Sequence, residues 1–396
     1  MRVRKGNPVS GDDFWPRTDV VDELYHAIAI ERGSRRMFGL RRIGKTSVLL
    51  ELERRLRKDS GLVVIRIDVQ GVKRFRDFLS KLFEQIPNED KLRETRQRFA
   101  ANHFVRALLP ALVARIAGPA AQPQSPLTGF TNEFEHNSAW EGDIEAALRD
   151  TGGVVLIIDE LPFMLREMTR HGYKPGDVEA FLATLRSWRM NCGVRMLLTG
   201  SLGLAQLQRK EKVQVADHVG DLFPVQLPPL GDDDAAEMVD ALAEGEKVAG
   251  WTRDLSRAVV TASAETWPIF LQYGFDAVAK ANVRDPAAVK ATIDGRVRQP
   301  LDETFYAQFA TRLSRYDEDE KPARVLLRLV AANAPEPTAF DAIDMALEKA
   351  GAIDRRDDLL EALQEDDLIV FDTESATVRP ASKLVPIWVR ARTWGR

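Results

Sequence analysis

Gly39-Leu40-Arg41-Arg42-Ile43-Gly44-Lys45-Thr46 is the stretch on which the reading of this chain turns. It matches the pattern GxxxxGK[ST]. The glycines let the backbone curl until its amides face phosphate oxygens, and a helix starting at Thr46 adds its N-terminal amides and dipole. In that geometry Lys45 reaches the β- and γ-phosphates of a nucleotide and the Thr46 hydroxyl binds Mg2+. Gly39, Arg41, Arg42, Ile43, Gly44 and Ser47 complete the expected phosphate-binding set. The pattern recurs by chance, so its context decides. Arg35-Arg36-Met37-Phe38 ahead of it reads as a short strand, and Thr46 to Lys58 behind it reads as a helix with Val48, Leu49, Leu52 and Leu56 at helical spacing.

Outward from the loop, strands and helices alternate to about residue 230. Leu62 to Val69 is a β-branched run and predicts a strand; Asp77 to Ile86 predicts a helix with Phe78, Leu79, Leu82 and Phe83 on one side. The Pro- and Gly-rich segment Gly118 to Pro126 reads as a loop or insert. Val154 to Ile158 is continuously apolar, as a strand buried on both faces requires. Val178 to Met190 predicts a helix, Val194 to Leu198 a buried strand, and Phe223 to Leu227 a fifth strand closed by Pro228-Pro229. The expected fold class is therefore α/β, a five-stranded parallel sheet with helices on both faces. From Asp232 to Arg315 only helices are read, the first opened by Asp232-Asp233-Asp234, whose charge suits a helix N-terminus. Helices at 321–332, 338–350 and 355–366, then strands at 368–371 and 377–379, predict a winged helix-turn-helix. The expected domains are a phosphate-loop α/β domain over 1–230, a helical lid over 231–316 and a winged helix over 317–396.

Asp159-Glu160 follows the 154–158 strand at its C-terminal end, where open α/β sheets place their ligands. Asp159 is expected to hold Mg2+ and Glu160 to orient the attacking water, the positioning that phosphoryl transfer needs. Thr199 and Ser201 end the next strand. Either hydroxyl can sense a γ-phosphate, and an ordinary polar turn explains them nearly as well. Arg209 lies in the charged stretch Arg209-Lys210-Glu211-Lys212, read either as an arginine finger for a neighbouring subunit or, more plainly, as a solvated loop. Leu255, Val259 and Val260 read as core, and Trp251 and Trp267 as packing aromatics.

Composition narrows the classes. The single Cys192 and five His leave no cysteine metal cluster or disulfide framework. No apolar run is long enough to span a membrane, and no signal peptide is read at the N-terminus, so the expectation is a cytoplasmic protein without a membrane partner. Residues 1–116 hold 25 Lys+Arg against 15 Asp+Glu, a basic third suited to polyanions such as nucleotides or nucleic acid. Residues 317–396 hold 11 Lys+Arg against 17 Asp+Glu, a poor balance for a module that grips DNA phosphates. Its end is nevertheless basic: Arg379, Lys383, Arg390, Arg392 and Arg396 have no acidic residue among them.

The Gly39–Thr46 loop, the Asp159-Glu160 pair and the helical and winged-helix regions together resemble the archaeal-type P-loop ATPases of the STAND class, which are related to AAA+ proteins and origin-recognition-complex ATPases. The resemblance extends to Gly6-Asn7-Pro8-Val9 and Asp12-Asp13-Phe14-Trp15-Pro16-Arg17, similar to the family segment near the adenine. It extends also to Glu265-Thr266-Trp267-Pro268, similar to the GxP element of the lid with Pro268 as its proline, and to Val378-Arg379-Pro380 and Trp388-Val389-Arg390 at the end of the winged helix. The chain departs from the pattern at Thr266, where the family has glycine, and at Thr199-Gly200-Ser201, where many members carry an arginine. The resemblance implies a P-loop NTPase whose sensor strand lies between the phosphate-loop and acidic-pair strands, with ATP as the nucleotide held between sheet and lid.

The resulting expectation is a Mg-dependent, ATP-hydrolysing switch acting on double-stranded DNA or on a separate effector protein, with a homo-oligomer left open. The alternatives are a nucleotide-loaded DNA-binding or protein-interaction regulator with negligible hydrolysis, and a small-molecule phosphotransferase. The long helical tail argues against the last.

Overall fold

The computed structural model describes residues 1–15, 17–59, 62–85, 145, 148–149, 151–204, 207–208 and 211–392. The Gly118–Pro126 segment, Arg209, Ile86 and Arg396 lie outside the described residues.

Strands β1 (Arg35–Phe38), β2 (Val63–Asp68), β3 (Val154–Asp159), β4 (Arg195–Gly200) and β5 (Phe223–Pro224) form one sheet in the order β2-β3-β4-β1-β5, all parallel. Strand β4, which the resemblance implied to be the sensor strand, thus sits between β1, which precedes the phosphate loop, and β3, which ends in the acidic pair, the order that the resemblance implied. The fifth strand is shorter than the expected Phe223–Leu227, because the chain turns into Pro228-Pro229 with a single further bond from Val225 N–H to the Arg36 carbonyl at 2.7 Å.

Alternating residues explain why the sheet is covered twice. Val63, Ile65 and Ile67 of β2 and Val154, Leu156 and Ile158 of β3 face one core; Val64, Val155 and Ile157 face the other. Helices α1 (Thr18–Tyr25) and α2 (Lys45–Asp59) bury Leu24, Val48, Leu49, Leu52 and Leu56 on the second face. On the first face lie α3 (Phe75–Gln85), α4 (Leu161–Arg170) and α5 (Pro175–Cys192), with Phe78 set edge-on to Phe181 at 5.0 Å. Each such buried side chain contributes about 1.5–3 kcal/mol. Helix α4 escaped the sequence reading; its Pro162 at the first turn and Leu161, Met164, Leu165 and Met168 on one face were the available signals.

Helices α6 (Asp232–Gly245), α7 (Arg253–Ala262), α8 (Pro268–Lys280) and α9 (Pro286–Ile293) share a separate core containing Leu242, Leu255, Val259, Val260, Leu271 and Phe275. Asp232, Asp233 and Asp234 occupy the first turn of α6, and Trp251 packs edge-on to Phe275 at 4.9 Å. Helix α10 (Gln299–Leu313) sends Phe305, Phe309 and Leu313 instead into the core shared with the C-terminal elements, and Phe309 meets Trp388 at 5.3 Å.

Those C-terminal elements are α11 (Glu320–Asn333), β6 (Thr338–Ala339), α12 (Phe340–Lys349), α13 (Arg356–Glu365), β7 (Ile369–Asp372), β8 (Thr377–Pro380) and α14 (Leu384–Ala391). Helix, strand, two helices and two strands, with the antiparallel sheet in the order β6-β8-β7, is the connectivity of a winged helix. The short β6 and the closing α14 are additions to the expected elements. Among the described residues, no helix is long and apolar enough to cross a membrane.

Candidate functional site: the phosphate loop and its carboxylates

The loop after β1 is shaped by backbone conformations that few residues tolerate. Gly44 has φ +111°, open to glycine and strained for anything else, and Arg42 is left-handed at φ 71°. Glu160, at the end of β3, is left-handed at φ 64°. Non-glycine residues held there cost about 1–3 kcal/mol and gather at functional sites.

Side chains converge from neighbouring strand ends. Lys45 is buried and donates to the carbonyls of Gly39 at 2.9 Å and Leu40 at 2.6 Å. Burial pushes its pKa down to about 8, against the opposing pull of Glu160, Asp367 and Asp159. Thr46 Oγ1 is 3.4 Å from Asp159 Oδ2, and Thr199 Oγ1 donates to Asp159 Oδ1 at 2.7 Å. Burial raises the Asp159 pKa; the Thr199 hydrogen bond works in the opposite direction and Glu160 adds to the rise. The Ser201 backbone N–H and hydroxyl both donate to Glu160 Oε2, at 3.1 and 2.8 Å.

A cavity of about 280 Å3 opens beside this group. Its walls include Arg41, Arg42, Gly44, Lys45, Thr46, Ser47 and Glu160 from the sheet, Pro268 and Ile269 from α8, and Gly6 to Val9 with Phe14 and Trp15 from the N-terminal segment. Gly39 and Ile43 shape the loop from behind and Asp159 and Thr199 lie beneath it, outside the cavity wall. The Thr266 hydroxyl donates to the Leu230 carbonyl at 2.5 Å, tying the start of α8 to the chain leaving the sheet.

Three contributions come from outside the sheet, the first two from segments that the resemblance placed near the adenine and the third with no signal in the sequence. The N-terminal segment is laced over the cavity: Val9 N–H donates to Ser47 Oγ at 3.1 Å, Arg4 N–H to Gln272 at 2.8 Å, and Lys5 pairs with Asp276. Buried Arg17 donates to the Pro228 carbonyl at 2.6 Å, and burial lowers its pKa to about 10. The third comes from the C-terminal module. Asp367 Oδ2 accepts from the Leu40 N–H at 2.6 Å, and buried Arg312 donates to the Ser201 and Asp366 carbonyls, each at 2.6 Å. No spacing rule links residue 367 to residue 40.

This loop, sheet order and helical region can be set against solved structures. The Walker-type ATPase PABY2304 of Pyrococcus abyssi superposes with a TM-score of 0.56 at 16% identity, over 97% of this chain and 98% of that one. The chain has a Walker-type ATPase fold. The ORC2 protein of Aeropyrum pernix, in its ADPNP–ADP complexes, aligns at a TM-score of 0.46 and 12% identity, over 95% of this chain and 94% of its own. No family model matches the sequence, and no curated protein matches it. The fold thus extends along nearly the whole chain, while at such identities each side chain's role must be argued from this site's own geometry.

Of the C-terminal basic residues, Arg390 is committed to the carbonyls of Ala331 at 2.6 Å and Ala334 at 3.2 Å. Arg379, Lys383 and Arg392 are exposed.

Proposed function

We propose that the chain is an ATP-binding and hydrolysing switch that uses Mg2+, with the lid and winged helix as the parts that respond to nucleotide. The observation that carries this reading is that Lys45 and Thr46 at the start of α2 and Glu160 just after β3 line one cavity, with Asp159 beside Thr46 just outside its wall. The loop amides and Lys45 hold the β- and γ-phosphates, Pro268 and the N-terminal segment face the base, and Glu160 orients the attacking water. A hydroxyl and a carboxylate oxygen 3.4 Å apart suit a magnesium ion that keeps most of its water, with Thr46 and Asp159 as its protein partners. Bound there, the ion would neutralise charge developing on the phosphates. Thr199 orients Asp159, and Arg209 remains the proposed finger for a neighbouring subunit in a homo-oligomer.

The same reading divides the chain into a nucleotide domain over 1–230, a lid over 231–316 and a winged helix over 317–396. The output is double-stranded DNA or a separate effector protein, in the cytoplasm. A second reading, a nucleotide-loaded regulator with negligible hydrolysis, draws on the two hydrogen bonds that hold Glu160 on Ser201.

Phosphate release from ATP by wild type, Lys45→Ala and Glu160→Gln, with and without double-stranded DNA, tests the proposal. Turnover in wild type that is lost in both variants is expected. Unchanged turnover in both overturns the site. ADP and ATP stabilisation without phosphate release transfers the proposal to the second reading.

A further inference from the structure

A second cavity, of about 320 Å3, lies on the other side of Arg41 from the nucleotide cavity, between the phosphate loop, α4 and α10. Arg41, Arg166, Arg312 and Arg315 all line it, and no carboxylate does among the described residues. Arg312 is committed to the Ser201 and Asp366 carbonyls. Arg41 donates from Nε to Ser201 Oγ at 3.1 Å, and the Arg166 guanidinium lies over the Phe163 ring at 5.0 Å with its Nε buried and unpartnered.

Such an arrangement is costly as it stands. Arg312 is buried, Arg166 and Arg315 are half-buried and Arg41 is exposed, so like charges meet in a partly desolvated hollow, and the buried Arg166 Nε without an acceptor forfeits its hydration. Burial is the main cause that lowers the pKa of Arg166, with Arg170 and Arg41 adding to it and Glu167 and Glu211 opposing; burial likewise lowers Arg315, with Arg166 adding to it and Asp366 opposing. Arg312 is accounted for by its two carbonyls, but packing alone does not account for Arg166, whose place an aliphatic side chain would fill without a charge or an unpartnered Nε.

We propose that Arg41, Arg166 and Arg315 form a binding site for a phosphoryl group, separate from the phosphate loop. Forked guanidinium donors arriving from three elements match the several acceptor oxygens and the double charge of a tetrahedral phosphate better than they match one carboxylate. The Thr311 hydroxyl and Gln308 supply further polar groups on the wall. The volume exceeds what a lone phosphate fills, so the occupant is a phosphate ester, free or part of a nucleic-acid strand. Its place is informative. Arg41 donates to Ser201 Oγ and Ser201 Oγ donates to Glu160, so an anion that draws Arg41 away stands two hydrogen bonds from the carboxylate assigned to water activation. That last link rests on the proposed function; phosphate binding itself does not.

Calorimetric titration of the full chain with inorganic phosphate, ionic strength held constant with chloride, tests the site. In wild type saturated with ADP, saturable binding is expected, weakened about tenfold or more in Arg166→Gln/Arg315→Gln. The pair Arg166→Lys/Arg315→Lys keeps the charge without the fork and is expected to fall between. The same titration of Lys45→Ala without ADP reports on the arginine site even if the nucleotide reading fails. Thermal melting in chloride checks that each variant folds. Labelled single-stranded DNA displaced by phosphate assigns the source to a nucleic-acid backbone; DNA that does not bind, alongside phosphate that does, assigns it to a free ester. Absence of saturable phosphate binding in wild type, or equal affinity in the glutamine pair, overturns the proposal.

Discussion

The backbone N–H of Leu40, second residue of the phosphate loop, donates a 2.6 Å hydrogen bond to Oδ2 of Asp367, at the turn between α13 and β7. Asp367 holds left-handed backbone, at φ 53°, to deliver that oxygen, and burial raises its pKa. The adjacent Asp366 is buried and takes the Arg312 guanidinium on its carbonyl and the Tyr316 hydroxyl on Oδ2 at 3.0 Å. The C-terminal elements therefore touch the loop that is to bind phosphate. A nucleotide that prefers one arrangement of this joint can shift it only by the difference in its affinity for the two.

Gly39 makes the contact possible. A Cβ there would stand 2.7 Å from Asp367 Oδ2 and 3.2 Å from Ile43 Cδ1. Gly39→Ala is expected to push the carboxylate off Leu40 and cost about 1–3 kcal/mol, read by urea unfolding. Asp367→Asn, which keeps an acceptor, is expected to lose less than Asp367→Ala. A Gly39→Ala protein as stable as wild type would contradict the joint.

Arg312 is 2% exposed and spans two modules. Arg312→Ala leaves the Ser201 and Asp366 carbonyls without their donor and the Asp366 carboxylate without its cation. Breaking a buried pair from one side costs about 3–5 kcal/mol. A loss below about 1 kcal/mol in chemical denaturation would mean that the joint is solvated.

Ser201 holds Glu160 by hydroxyl and amide, and only the hydroxyl can be removed by substitution. Ser201→Ala is expected to loosen the carboxylate, leaving it on the amide alone, and to raise ATP turnover about fivefold, the value of one hydrogen bond, with the ATP dissociation constant unchanged. Turnover that falls together with affinity would instead assign Ser201 to nucleotide binding.

Lys45 links affinity to pH. Its pKa of about 8 in the folded chain lies below the ordinary lysine value, so between about 8 and 10 the unfolded chain carries more protons than the folded one. The contribution of this group to stability therefore rises with pH across that window, as the cost of a buried charge is relieved. Nucleotide phosphates need the charged form. ADP affinity is expected to weaken as pH rises above 8, approaching about tenfold per unit, and Lys45→Arg is expected to flatten the profile. Calorimetric titration across that range decides it; a flat wild-type profile would remove Lys45 from phosphate contact.

Much of this was legible along the chain. Gly39 to Thr46, the apolar run ending in Asp159-Glu160, and the change from alternating strands to helices are local patterns, because a loop that wraps phosphate and a strand buried on both faces each impose residue types on consecutive positions. Those same local rules overlooked α4 and α14, whose apolar faces are short, and drew β5 too long where the proline pair ends it. They also say nothing of Asp367 on Leu40, Arg312 on Ser201, or the arginines that meet beside Arg41. A lone aspartate or arginine on a helix end looks like solvated surface until the cores of α10 and the winged helix bring it against the loop. Local periodicity determined the sheet, the phosphate loop and its carboxylates. Hydrophobic packing between segments hundreds of residues apart decided which charges face one another, because burial is non-directional and leaves no spacing in the sequence to read.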